Sequence, residues 1–136
     1  MTIVWLNTEL VTAMHLRQLS EHGGGVGLRD ADLLESALQR PLSKAQYGVP
    51  DLSDLAASYA FGIARNHPFI DGNKRTALVA SFTFLYLNGN RVNTSQVENV
   101  RVFLELATGS LSEDNLAEWF RANLQKHQIS PHRRRV

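Results

Sequence analysis

The 136-residue sequence has no cysteine, which excludes a disulfide framework and any thiolate metal site and is compatible with a reducing compartment. It has no apolar run long enough to span a bilayer, and no basic segment followed by a signal-type apolar stretch at its start. It also lacks an excess of charge. Fourteen Lys and Arg against thirteen Asp and Glu leave +1, too little for the body of the domain to hold nucleic acid electrostatically. Prolines number only four, and two of them, Pro41 and Pro68, mark places where a helix is expected to stop. What remains is ordinary: 43% apolar and 20% charged residues describe one soluble, cytoplasmic domain with a real core.

The chemistry is concentrated in residues 65–78, from Arg65 to Leu78. Pro68 and Gly72 break any helix arriving from upstream, and a long apolar run follows. Asp71 and Asn73 are good helix N-cap types, so a new helix is expected from about residue 73 to 88. A helix N-terminus presents unpaired N–H groups and the positive end of the macrodipole, which suits an anion. Lys74 and Arg75 add full charges there. Asp71 suits a hard cation such as Mg2+, which takes oxygen ligands and phosphate oxygens. His67 carries the one side-chain type whose unperturbed pKa lies near physiological pH, which suits proton abstraction from a hydroxyl. Base, metal ligand and anion cradle together describe phosphoryl or nucleotidyl transfer.

His67-Pro68-Phe69-Ile70-Asp71-Gly72-Asn73-Lys74-Arg75 resembles the core motif of the Fic superfamily, and Lys74 with Thr76-Ala77-Leu78 is similar to its death-on-curing (Doc) toxin branch. The likeness continues through Gly23-Gly24, Leu33 to Leu38, Arg40-Pro41, Asn88-Gly89 and Ala107-Thr108-Gly109. The resemblance implies a compact all-α bundle of about six helices, with the active loop between two buried core helices. It assigns the general base to His67, a Mg2+ ligand to Asp71, phosphate binding to Gly72, Asn73 and Lys74, and charge stabilisation during transfer to Arg75. Arg65 matches an arginine that precedes the motif in Doc-type proteins and is a candidate nucleotide contact, with a surface ion pair as the alternative. ATP is then the co-substrate. A protein hydroxyl is the acceptor, elongation factor Tu is the implied target, and a Phd-type antitoxin is the implied partner.

Two departures bear on the chemistry. AMP-transferring members of the superfamily have a glycine where this chain has Lys74 and a second arginine where it has Leu78. In the Doc branch such changes accompany an inverted nucleotide and transfer of the γ-phosphate, so kinase chemistry is expected, with AMP transfer as the alternative. A catalytically silent nucleotide- or partner-binding module is the reading from a different class. Thr94 to Asn99 matches the superfamily's inhibitory-helix pattern letter by letter, yet Glu98 reads as a solvent-facing helix residue.

The rest of the chain supplies scaffold. Residues 3–6 read as extended. A helix is expected over 8–21, with Leu10, Val11, Met14 and Leu19 on one stripe and His15 and His22 as surface or core-edge residues. Gly23 to Gly27 lacks the Lys and Ser/Thr of a phosphate loop and reads as a flexible turn. Asp30 caps a helix over 31–39 that Pro41 stops, leaving a functional loop over 41–52 that holds Tyr47. Asp51 or Ser53 opens a core helix to about Asn66. Asn93 or Thr94 caps a helix over 95–107 ended by Gly109, and Ser112 caps the last, over 113–125. The domain is placed at 1–126, followed by a basic, disordered tail over 127–136.

Overall fold

The computed structural model describes residues 2–127; apart from His127, the expected tail lies outside the described residues. Six helices run in the order α1 (Thr8–His22), α2 (Ala31–Gln46), α3 (Leu52–Asn66), α4 (Asn73–Leu87), α5 (Gln96–Thr108) and α6 (Glu113–Asn123). The all-α bundle expected from the sequence is therefore present. To it are added two three-residue strands that the sequence does not betray, β1 (Asn90–Val92) and β2 (Leu124–Lys126), paired antiparallel. Strands this short carry no readable alternation, and their partners lie 32 to 36 residues apart, from Asn90 ↔ Lys126 at one end to Val92 ↔ Leu124 at the other.

Helix α3 is the axis. Leu55, Ala56, Ala57, Tyr59, Ala60, Ile63 and Ala64 are all buried, and α2, α4 and α6 pack around it. Its small residues let α2 approach closely: a Cβ added at Gly62 would lie 3.0 Å from Arg40 Cδ and 3.1 Å from Ala37 Cα. Phe84 of α4 tilts against Tyr59, and Phe82, Phe103, Trp119 and Phe120 form an aromatic cluster joining α4, α5 and α6. The Tyr59 hydroxyl accepts the Leu6 N–H at 3.0 Å, tying the extended N-terminal segment to the core.

Local signals set most helix starts. Asn7, Asp30, Asp51, Ser95 and Ser112 each accept a backbone N–H from the first turn of the helix they cap, which relieves an otherwise orphaned donor. Asp51 and Asp54 form a reciprocal capping box, and Arg121 of α6 clamps both carboxylates. Ser95, rather than Asn93 or Thr94, caps α5. The stop expected at Pro41 does not occur. Pro41 lies inside α2 and is buried. An internal proline costs about 3 kcal/mol through its lost N–H and its clash with the preceding turn. Packing of α2 along α3 outweighs that, and Glu113 of α6 holds Arg40 and Lys44 on either side of the proline. The expected 41–52 loop shrinks to residues 47–51, with Tyr47 84% exposed. Leu10 is exposed, and the buried stripe of α1 is Val11, Met14 and His15 instead.

Candidate active site

The loop between α3 and α4 is held in an uncommon conformation. His67 ends α3 with φ 51° and ψ 57°, and it is the only non-glycine residue with positive φ among the described residues. A left-handed backbone at a residue bearing Cβ costs about 1–2 kcal/mol and persists only where the surroundings fix it. Three sets of contacts anchor the loop that follows it. Phe69 is buried and its ring stacks on the equally buried His15, centroids 3.8 Å apart and planes within 8°. His15 Nε2–H donates to the Asp71 carbonyl at 2.7 Å. Asn73 grips Phe69 from the other side, its Oδ1 accepting the Phe69 N–H and its Nδ2 donating to the Phe69 carbonyl, each at 2.9 Å.

The glycine-rich stretch completes the frame and is more than a turn. Gly27 to Asp30 runs alongside the loop: Ile70 N–H donates to Gly27 O, and the Arg29 and Asp30 N–H groups both donate to Pro68 O. Leu28 and Phe69 form an antiparallel bridge. Gly25 N–H reaches the Asp71 carboxylate at 3.4 Å.

The N-terminus of α4 differs from that of the other helices. Its N-cap is Gly72, left-handed at φ 79°, and no side chain caps it. The expectation of Asp71 or Asn73 as N-cap is thus corrected. Asn73 is already the first helical residue and its amide is bound to Phe69, while Asp71 Oδ1 turns to the Gly72 N–H at 2.8 Å. The first-turn N–H groups of α4 therefore remain open, with the positive end of the helix behind them.

Those groups face a cleft of about 640 Å³ lined by Arg29, His67, Phe69 to Arg75 and Ala107. The fold so brings together His67, Asp71, Gly72, Asn73, Lys74 and Arg75. It does not bring Arg65 to the cleft, because the Arg65 guanidinium lies over the Phe61 ring, 5.2 Å from its centroid. Leu78 packs partly buried against the core. Glu98 is not solvent-facing: its carboxylate accepts the Trp119 Nε1–H at 2.9 Å and so points at α6. His15 is buried in the core rather than at its edge or on the surface. A signal for it was present, since Val11, Met14 and His15 recur at helical spacing. Arg29 on the cleft wall had no such signal, being 38 residues from the loop it touches.

Among the described residues no three His, Asp or Glu side chains gather into a metal cage. Mg2+ does not require one, since it is commonly held by one or two carboxylates together with substrate phosphates and water. The exposed Asp71 carboxylate, on the wall shared with Lys74 and Arg75, fits that pattern.

The sequence model of the Fic/DOC family matches residues 5–85. Protein kinase doc of Escherichia phage P1 is 33% identical across 85% of this chain and 92% of its own length. The chain belongs to the Fic/DOC family. It is also similar to Toxin Doc of Mycolicibacterium smegmatis, 49% identical over 49% of this chain and 53% of that protein; in this match the chain spans about half the length of its relative. The Fic/DOC match runs from before α1 to near the end of α4 and takes in every cleft residue except Ala107. No helix among the described residues is long and apolar enough to cross a membrane.

Proposed function

We propose that this Fic/DOC chain is a Doc-like toxin acting in the cytoplasm, which transfers the γ-phosphoryl group of ATP to a Ser or Thr hydroxyl of a protein. The observation that carries the reading is one juxtaposition: His67 and the open N-terminus of α4 line the same cleft. A base thus lies beside an anion cradle. The 33% identity to a protein named as a kinase, over nearly its whole length, favours γ-phosphoryl over AMP transfer.

His67 takes the proton of the incoming hydroxyl as its oxygen attacks the γ-phosphorus. The bond from that phosphorus to the β–γ bridging oxygen breaks, and ADP leaves with the electron pair. The backbone N–H groups at the start of α4 hold phosphate oxygens, and the Arg75 guanidinium meets the charge that develops during transfer. Lys74 fills space beside the phosphates. With Leu78 packed on the core, position 78 offers no second cation for a deeply bound α-phosphate. Asp71 would hold Mg2+, which when bound neutralises charge on the phosphates.

Elongation factor Tu is the proposed target and a Phd-type antitoxin the proposed partner; both follow from family resemblance and from the toxin name of one relative. Incubation with candidate targets and Mg2+ plus ATP labelled at the γ- or the α-phosphate tests the chemistry. Label from the γ-position alone supports it, and label from the α-position alone overturns it in favour of AMP transfer. Expression of the chain should arrest growth, and co-expression of its antitoxin should relieve the arrest.

A further inference from the structure

We infer that Arg29 is a positioning residue for His67, holding the base in its left-handed conformation on the cleft wall. The inference rests on the reading of His67 as the base. Its evidence is separate: Arg29 Nε donates to the His67 carbonyl at 2.7 Å and Nη2 to the Asn66 carbonyl at 2.9 Å. These are two of the carbonyls that the end of α3 leaves without intrahelical partners. The next carbonyl, of Pro68, accepts the backbone N–H groups of Arg29 and Asp30 at 2.7 and 3.1 Å. Three successive carbonyls, from the end of α3 into the motif loop, are therefore gripped by two adjacent residues, one of them through a planar guanidinium.

That planarity matters. A guanidinium presents its donors in a fixed fork, whereas an ammonium is a single point on a flexible stem. Two carbonyls bound by one rigid group cannot rotate independently, so the ψ of Asn66 and the backbone of His67 are set together. The side chain of His67 starts from that backbone, and His67 is exposed, with no core packing to orient it. The rest of the loop is anchored further along: His15 and Asn73 hold Phe69 and Asp71. Loss of Arg29 should therefore leave the phosphate cradle intact and misplace the base alone.

The test compares Arg29→Met, which keeps the stem and removes every donor, with Arg29→Lys, which keeps one charge and loses the fork. Both hydrogen bonds lie at the surface, so water replaces the lost donors and folding is expected to survive. In single-turnover transfer of labelled phosphate, Arg29→Met should lower the rate on the order of 10- to 100-fold, short of the His67→Ala loss, with nucleotide affinity unchanged. Arg29→Lys should recover part of it. Guanidinium added to Arg29→Ala should restore part of the rate. A second readout needs no activity: the amide–Hα coupling of His67, measured by NMR, should leave its left-handed value in Arg29→Met and keep it in Arg101→Met, a control at an exposed helical pair. Unchanged coupling together with wild-type transfer overturns the inference. A moved coupling with no transfer even in the wild-type chain supports the positioning and sinks only the proposed function.

Discussion

Replacing Gly24 with alanine should weaken metal-dependent nucleotide binding from a position that touches no nucleotide. Gly24 has φ +124°, and a Cβ built there would lie 2.8 Å from Asp71 Oδ2 and 3.3 Å from Asp71 Cγ. Something must move, and the carboxylate is the free end of a short side chain while Gly24 is main chain. The carboxylate is pushed aside. Gly23 is the matched control: its φ is +78°, yet an added Cβ meets nothing within 4 Å. Both substitutions place an L-residue where glycine is favoured, which costs about 1–3 kcal/mol. At about 4 °C per kcal/mol for a domain of this size, each should lower Tm by about 4–12 °C. Only Gly24→Ala moves Asp71. Displacing a group that orients a metal ligand typically costs about 10- to 100-fold in metal affinity, so its Mg2+-dependent nucleotide affinity should fall by that order. Calorimetric titration of ATP with and without Mg2+ on both variants reads this directly. Equal affinities for the two variants in Mg2+ would refute either the contact or the assignment of Asp71 as ligand.

His67→Ala should lower transfer about 10²- to 10⁴-fold while nucleotide affinity holds, because it removes a proton acceptor from an exposed position and no core volume; wild-type transfer would remove His67 from the mechanism. His15→Phe keeps the ring against Phe69 but leaves the Asp71 carbonyl without its donor, costing about 1–3 kcal/mol in a denaturant titration; an unchanged midpoint would mean that water serves that carbonyl equally well. The Arg121 hydrogen bond, opposed by burial and aided by Asp54, holds the Asp51 carboxyl down at about 2 against an ordinary 3.8. Its charged form therefore stabilises the fold above pH about 4, and that contribution fades as pH falls from about 4 to about 2. Asp51→Asn keeps a good capping type and removes the charge, so the stability slope across that window should flatten. Solvent screening at this exposed pair limits the effect at neutral pH to about 1 kcal/mol.

The sequence by itself determined the six helices and the grouping of the motif residues. Capping residues before apolar runs are local signals, so Asp30 and Ser112 could be read along the chain, and Asp51 as one of two choices with Ser53. The motif from His67 to Arg75 is contiguous, so its base, carboxylate and cations were bound to lie near one another whatever the packing. Where a local rule met a competing contact, it failed. Pro41 should end α2 by backbone geometry, but burial and the link to Glu113 carry the helix on to Gln46. Asn73 should cap α4, but its amide is bound to Phe69, and the helix is left without a side-chain cap. The tertiary structure alone decided how the loop is held, because His15, Gly24 and Arg29 reach it from 38 or more residues away in the chain. Their identities are legible in the sequence, but which carbonyl or carboxylate each one meets depends on how α1 and the glycine segment fold back against α3 and α4. Periodicity and capping act over a few residues and carry no information at that range.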